Sequence, residues 1–341
     1  MKKGHKINII VSTILLALFL YLAFRNVDLA ELINILKTTN YLYVFIGGLI
    51  GVVGGSLVRS YRWKYLLAPI KKDIKFKNLF ATTVVGYMVN NLIPRSGEVV
   101  RPVLFGKAEG ISRASAFGTI IVERIIDTVM FLLMFGICLI FFQNRISQAF
   151  PEMNTAVIIL SALSFLLTIW VLLMMFKTEM SLKVVKYFTR FLPLRFREKI
   201  DKIFVSLVDG FESLKKPDLM LKITFWSIVL WIFYLVSTII PFYSFGILVG
   251  NGHTLWETLW DGNILLVLIS VSMFVPSPAA TGPYHYIVKV TLTVIFSIDN
   301  SMALGYATST HAMAFILYLI LGLYYFIVSN YKISELKEKT V

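Results

Sequence analysis

The chain of 341 residues is 57% hydrophobic and only 15% charged, whereas an average soluble domain carries roughly 25% charged residues. This composition, with a mean hydropathy of +0.78, excludes a disordered chain and argues against a soluble globular enzyme. The net charge of +14 would indicate nucleic acid binding in a soluble protein. In a membrane protein it reflects basic loops on one face, so we expect no nucleic-acid partner.

Apolar segments of the length that a helix needs to cross a bilayer, about 20 residues, recur along the chain. The first follows a basic start and resembles a signal peptide, but it lacks a small-residue cleavage site, so we interpret it as a retained anchor. The six predicted spans are residues 7–24, 41–58, 114–142, 154–176, 219–246 and 302–328.

The segments between these spans differ in charge, which predicts their orientation. The N-terminus, residues 59–77 and residues 177–218 are basic, and the segments opposite them are short and nearly neutral. Both termini are therefore expected on the cytoplasmic side of a prokaryotic cell membrane. Within the basic linker 177–218, apolar residues at helical spacing over 196–214 predict an amphipathic helix that lies on the inner leaflet.

Two further apolar stretches are interrupted by proline and glycine and cannot cross once without inverting the loops that follow. Residues 78–105 contain NLIPRSGEVVRP, and residues 256–298 contain VPSPAATGP. We interpret both as re-entrant helical hairpins that enter from opposite faces. The order span, span, hairpin, span then occurs in both halves, 1–150 and 151–341. This order predicts one all-α membrane domain built as an inverted repeat, with its substrate site where the broken helices meet. The alternative is eight or nine simple helices, two of them kinked at proline.

The tip of the first hairpin carries charged residues, which are costly inside a membrane and are usually functional there. Arg95, Glu98 and Arg101 are spaced by three, so they share one side if the segment is helical. We expect Ser96 to cap a short helix beginning near Gly97, whose N-terminus suits a phosphate or carboxylate. Two guanidinium groups can hold a phosphate while Glu98 tempers their charge or carries a proton. The alternative is an interfacial loop whose arginines contact lipid headgroups.

A second charged group lies inside the predicted span 114–142. Glu123, Arg124 and Asp127 fall on one helical face, and each charge is costly at the centre of a bilayer unless it is paired or wet. Pairing with Arg95 or Arg101 would join this group to the hairpin tip. A purely structural lock between helices is the alternative to a direct substrate role.

The tip of the second hairpin offers a different chemistry. We expect Ser277 to cap a helix with Pro278 at its first position, and Tyr284, His285 and Lys289 follow. His285 is the side chain here that titrates near neutrality and is a candidate for proton coupling. The alternative is a histidine that is simply hydrogen-bonded.

Catalytic and cofactor signatures are missing from the sequence. There is no Walker phosphate loop, no His-Glu-x-x-His and no Gly-x-Ser-x-Gly. The single cysteine excludes a CxxC metal site, and the four histidines are scattered. We therefore expect a protein that is not an enzyme, with no cofactor and no metal.

Three segments carry a resemblance to a known family: NNLIPRSGEVVRPVLF, ASAFGTIIVERIIDTV and VPSPAATGPYHY. In this order they resemble the lysylphosphatidylglycerol synthase transmembrane-region family, also called the flippase-like domain family. Its bifunctional members join this membrane domain, implicated in moving an aminoacylated phospholipid between leaflets, to a soluble synthase domain. The second tip departs, because Tyr284-His285 stands where members have a glycine-rich turn and an acidic residue. The matching positions are Asn91, Pro94, Gly97, Glu98, Arg101, Glu123, Arg124 and Asp127.

The resemblance implies translocation without synthesis, since no synthase domain follows Val328, and makes a separate lipid-modifying enzyme a possible partner. The expected function is a flippase for an anionic or zwitterionic phospholipid, either aminoacylated or unmodified. The alternatives are a membrane enzyme with Glu98, Asp127 or His285 as general base, and a transporter of small anions. The expected substrate contacts are Asn91, Arg95, Ser96, Gly97, Glu98, Arg101, Ser277, Tyr284 and His285, and the expected ion-pair or coupling residues are Glu123, Arg124, Asp127 and Lys289.

Overall fold

The computed structural model describes residues 3–141, 155, 158–159, 162–169, 189, 214–247 and 254–331. All regular structure in these residues is helical, as the sequence predicts. Most of the predicted span 154–176 and nearly all of the linker 177–218 lie outside the described residues. In chain order the helices are α1 (Lys3–Phe24), α2 (Leu29–Thr38), α3 (Tyr41–Leu49), α4 (Gly55–Leu67), α5 (Phe76–Leu92), α6 (Gly97–Glu109), α7 (Arg113–Phe141), α8 (Pro217–Ile239), α9 (Phe242–Phe245), α10 (Leu255–Ser272), α11 (Pro283–Val290) and α12 (Asn300–Val328).

Three helical segments of the described chain are long and apolar enough to cross a membrane: Tyr41–Leu67, Pro217–Phe245 and Asn300–Val328. A fourth candidate is the pair Val11–Phe24 and Leu29–Thr38, which bends by 89°. The structure therefore shows three or four apolar spans among the described residues, where the sequence predicted six along the whole chain. Helix α7 covers the predicted span 114–142 but carries the charged group in its first half.

The first of these spans corrects the sequence prediction. A π-helical turn at Ile50–Gly54 joins α3 to α4, so the helix continues nine residues beyond the predicted end at Val58 to Leu67. Arg59 and Arg62 therefore lie on a helix and are buried, and they are not part of a basic loop. The helix continues past the end of the apolar sequence because the charged side chains of α4 find partners within the protein.

Helices α5 and α6 form a helical hairpin with a turn of residues 93–96 between them. The two helices meet at Gly86 and Gly97, where a Cβ on Gly97 would lie 1.9 Å from the Gly86 carbonyl oxygen. Only glycine allows the backbones to approach so closely. This close crossing fixes the start of α6, and therefore the position of Arg101 one turn later.

The capping predicted for Ser96 is wrong. Ser96 has helical backbone angles (φ −71°, ψ −27°), and its side chain makes no capping hydrogen bond. The Gly97 N–H instead donates to Asn90 Oδ1 at 2.6 Å. An amide from the preceding helix thus satisfies the first free donor of α6, a group that a cap residue usually serves.

The second hairpin consists of α10 and α11, with residues 273–282 between them. The helix start predicted at Ser277-Pro278 is wrong, because Pro278–Ala280 forms only a single 3-10 turn and Ser277 makes no capping hydrogen bond. The helix begins at Pro283, after Gly282 with φ +91°. A Cβ on Gly282 would lie 3.0 Å from the Leu16 carbonyl oxygen, so this tip packs against α1.

Ionic contacts close the base of the first hairpin. The Lys71 ammonium donates to Glu109 Oε2 at 2.7 Å, while the Lys75 N–H and the Asn78 amide donate to Oε1 at 3.1 Å and 2.7 Å. Burial of the carboxyl opposes ionisation, but these hydrogen bonds prevail and hold the pKa of Glu109 below its ordinary value. The end of α6 is thereby tied to the loop that precedes α5.

We expect Gly97→Ala to lower the midpoint of thermal unfolding in detergent by several degrees. The added Cβ meets the Gly86 backbone, and overpacking of this kind costs typically about 1–3 kcal/mol. Ser96→Ala serves as the neighbouring control and should change the free energy of unfolding by less than about 0.5 kcal/mol, since no cap is lost. Equal effects of the two substitutions would contradict the close crossing.

Glu109→Gln should lower the unfolding midpoint at pH 7. Because the native pKa of Glu109 is depressed, the stabilisation is complete above the unfolded value of about 4.3 and is lost as the pH falls through the native value. The difference between wild type and variant should therefore shrink on acidification below about pH 4. Glu31→Gln, on the exposed face of α2, is the control. If the unfolding midpoints of wild type and Glu109→Gln differ as much in acid as at pH 7, the Glu109 carboxylate does not stabilise the protein through these contacts.

Candidate functional site

Four arginines from three helices converge on two carboxylates, and we call this group the arginine cluster. Helix α4 supplies Arg59 and Arg62, α6 supplies Arg101, and α7 supplies Arg124 with both acids. The side chains are joined directly by ion pairs of 4.0 Å or less. The members of the arginine cluster are Arg59, Arg62, Arg101, Glu123, Arg124 and Asp127.

Glu123 is the centre of the cluster and has no solvent exposure. Its Oε1 accepts hydrogen bonds from Arg59 Nη1, from Arg101 Nη1 at 3.0 Å and from Arg124 Nη2 at 2.8 Å. Arg101 Nη1 also reaches Oε2 at 3.2 Å. One carboxylate thus holds α4, α6 and α7 together, as expected for a buried charge that is tolerated only when it is paired and hydrogen-bonded.

Asp127 lies one turn further along α7 and is 20% exposed. It pairs with Arg59 Nη1 at 3.0 Å, Arg62 Nη2 at 2.7 Å and Arg124 Nη2 at 3.2 Å. The spacing of four between Glu123 and Asp127 puts both carboxylates on the face of α7 that meets α4. Arg59 therefore binds both acids at once.

Neutral side chains hold the guanidinium groups in place. Arg59 Nη2 donates to the Tyr234 hydroxyl at 3.0 Å, and Arg62 Nη1 donates to Ser227 Oγ at 3.3 Å, both on α8. The Arg101 guanidinium lies 3.8 Å from the centre of the Trp63 ring, a cation–π contact. The first half of the chain and α8 are thus joined through the same group of charges.

A cleft opens beside the cluster, between the first hairpin and α7. It is a small cleft, open on one side, with about 30 Å³ of space that a water-sized molecule can occupy. Arg124 and Glu98 are the charged residues at the mouth, 38% and 43% exposed and 4.0 Å apart, whereas Arg101 lies at the buried end with 5% exposure. The cleft is lined by Thr83, Gly86, Tyr87, Asn90, Gly97, Glu98, Arg101, Ile120 and Arg124.

The cluster carries more positive than negative charge. Four guanidinium groups face two carboxylates, which leaves two positive charges, or one when Glu98 at the mouth is included. Arginine keeps its charge in proteins, so this excess cannot be removed by deprotonation. An anion in the cleft is the occupant that this field favours.

Comparison with known proteins identifies the family. The family model of the lysylphosphatidylglycerol synthase TM region matches residues 9–322, and so includes both hairpins and the arginine cluster. The chain belongs to this family. A UPF0104 membrane protein of Methanocaldococcus jannaschii is 35% identical over 133 residues, 37% of this chain and 39% of that protein. Another, of Methanothermobacter thermautotrophicus, is 26% identical over 263 residues, 72% of this chain and 74% of that protein.

Some of the residues predicted at the first tip line the cleft, and others contact different parts of the protein. Arg101 pairs with Glu123 as expected, and Gly97 and Glu98 line the same cleft. Arg95 does not share their side, because it lies in the turn with φ +60° and its Nη2 donates to the Phe274 carbonyl at 3.1 Å. Asn91 donates to the Phe315 carbonyl of α12 at 3.3 Å. Ser96 is half-buried in the turn without lining the cleft.

The residues predicted at the second tip contact α12 and α1 in place of the arginine cluster. The Tyr284 hydroxyl lies 3.0 Å from Thr310 Oγ1, and the ring of His285 is 4.7 Å from that of His311. Lys289 donates to the carbonyls of Leu22 and Arg25 at 3.1 Å and 2.9 Å, which caps the end of α1. The buried Ser277 lies in the turn before these residues.

Sequence reasoning missed Arg59 and Arg62. The signal that identifies them is their spacing of three in SLVRSYRWKYLL, which places both on one face of a continued helix. Among the described residues no group of three or more histidine, cysteine, aspartate and glutamate side chains is arranged to hold a metal ion.

Glu123→Gln should be strongly destabilising, because three guanidinium groups lose their shared counter-charge. Breaking a buried pair costs about 3–5 kcal/mol, measurable as the free energy of unfolding in mixed detergent micelles. Glu98→Gln is the matched control, and its exposed carboxyl should contribute less than about 1 kcal/mol. Similar losses for the two variants would show that Glu123 does not organise the cluster.

Proposed function

We propose that this protein is a lipid transporter that moves a phosphate-bearing headgroup between leaflets through the cleft beside the first hairpin. The observation that carries the proposal is the excess of positive charge in the arginine cluster, which reaches the cleft through Arg101 and Arg124. A phosphate in the cleft receives charge-assisted hydrogen bonds from planar guanidinium forks. Such contacts lower the cost of taking a charged headgroup through an apolar medium.

The surface around the cleft suits acyl chains. Leu92 and Ile93 at the hairpin tip and Val99 on α6 are 57%, 50% and 38% exposed. A headgroup held by the arginines leaves its tails beside these apolar side chains, in contact with the surrounding lipid. This exposed apolar surface favours a lipid substrate over a soluble one.

The lengths of the hairpin helices support a re-entrant arrangement. Helix α6 has 13 residues, which at 1.5 Å per residue span about 20 Å, less than the hydrocarbon core of about 30 Å. Helix α11 has 8 residues, and a π-helical turn of 5 residues at Thr291–Ile295 continues it to Ile295, which is also too short to cross the core. In our proposal both hairpins turn within the cytoplasmic membrane as parts of an inverted repeat, with the basic segments of the chain on the cytoplasmic side.

We expect Arg124→Gln to reduce lipid transfer in proteoliposomes at least about tenfold, since a hydrogen bond to a charged group contributes about 1.5–3 kcal/mol and about 1.4 kcal/mol represents a factor of ten. The measurement is the rate at which fluorescent phosphatidylglycerol in the inner leaflet becomes accessible to an external quencher. Arg25→Gln, an exposed arginine outside the cluster, is the matched control.

Transfer at the wild-type rate in Arg124→Gln would contradict the proposal. Two further measurements separate the other candidate functions. Chemical conversion of the labelled lipid by the purified protein would indicate a membrane enzyme, and uptake of inorganic phosphate without lipid transfer would indicate a small-anion transporter.

A further inference from the structure

A buried arginine of the cleft has hydrogen-bonding capacity that the described protein leaves unused. Arg101 is 95% buried, and its Nη1 is occupied by Glu123. Its Nε and Nη2 have no hydrogen-bond partner among the described residues, and the same holds for Arg124 Nε. Both side chains line the cleft. Buried polar atoms are normally paired. Arg59 Nε and Arg62 Nε of the same cluster also lack a hydrogen-bond partner in the part of the chain that the structure describes, but those side chains do not line the cleft, whereas Arg101 and Arg124 do.

The unused donors belong to two guanidinium groups that are already fixed in position. Arg101 is held by Glu123 and by the Trp63 ring, and Arg124 is held by Glu123 and Asp127. Groups held in this way lose little further side-chain entropy when they bind an anion. Two such groups at one cleft match the several terminal oxygens of a phosphate.

The charges around the cleft are unfavourable for a cation. Glu98 is the only carboxylate among the described residues that line the cleft, and it already lies 4.0 Å from Arg124. A headgroup with an added ammonium group would meet at least one excess positive charge and would compete with Arg124 for Glu98. A headgroup with a net negative charge neutralises the excess.

We infer that the lipid taken by this cleft is net anionic and ends in a phosphate monoester, and that cationic, aminoacylated headgroups bind weakly. The inference rests on the proposed function, because it identifies the substrate class of the same site. The dianionic monoester matches the two positive charges of the buried cluster. Glu98 then weakens the binding of the anion, which allows its release.

The test is equilibrium binding by calorimetry to the full-length protein in detergent, with short-chain lipids that differ in charge. Dihexanoyl phosphatidic acid should bind at least about tenfold more tightly than dihexanoyl phosphatidylcholine or lysyl-phosphatidylglycerol, with phosphatidylglycerol between them. Glu98→Gln should tighten the binding of phosphatidic acid several-fold, because it removes a like charge from the mouth. Arg124→Gln should weaken it by about tenfold, and Arg25→Gln should leave it unchanged.

Lysyl-phosphatidylglycerol or phosphatidylcholine bound as tightly as phosphatidic acid would overturn the inference, as would weaker binding of phosphatidic acid to Glu98→Gln. Glycerol 3-phosphate is the probe for a soluble phosphate, and equal affinity for it would overturn a lipid ligand. Failure of the proposed function has a different signature. In that case phosphatidic acid binds with the expected order of affinities, but proteoliposomes do not transfer lipid.

Discussion

The structure of the first half of this protein depends on one buried carboxylate. Glu123 accepts hydrogen bonds from arginines on α4, α6 and α7, and in apolar surroundings it can remain charged only because those partners are present. The reverse is also true, since each guanidinium group is tolerated in the interior because it has this acceptor. The packing of three helices and the electrostatics of the cleft therefore have one physical cause.

The hairpin and the charges constrain each other. Because α5 and α6 approach closely at Gly86 and Gly97, Arg101 emerges from α6 directly above Trp63 and Glu123. Four arginines against two acids, of which Glu123 is buried and Asp127 partly exposed, leave this region positively charged, a costly arrangement unless an anion or water completes it. We regard that excess as the functional core of the site. It connects the close backbone contact of the hairpin to the chemistry proposed for the headgroup.

Features that depend on local composition were predictable from the sequence. Apolar length and interrupting prolines predict an all-helical chain and place both breaks in the helices within a few residues of those observed, at 93–96 and 273–282. The need of a buried charge for a partner predicts that the acids of α7 pair with Arg95 or Arg101, and Arg101 is the one that pairs, with Glu123. Features that depend on contacts with other parts of the fold were not predictable. The Asn90 side chain, and not that of Ser96, accepts the hydrogen bond from the first N–H of α6. Arg95 takes a positive φ and donates to a carbonyl in the second hairpin turn. Arg59 and Arg62 were predicted in a loop for a related reason. The sequence does not distinguish an arginine that is paired inside the protein from one that is exposed in a basic loop.

A structure determined in a bilayer that contains phosphatidic acid tests the central claim most directly. We predict phosphate density in the cleft, with its oxygens about 3 Å from Arg101 Nη2 and Arg124, and acyl chains beside Leu92 and Val99. An empty cleft with lipid phosphates bound only at exposed positions such as Arg95 would contradict it.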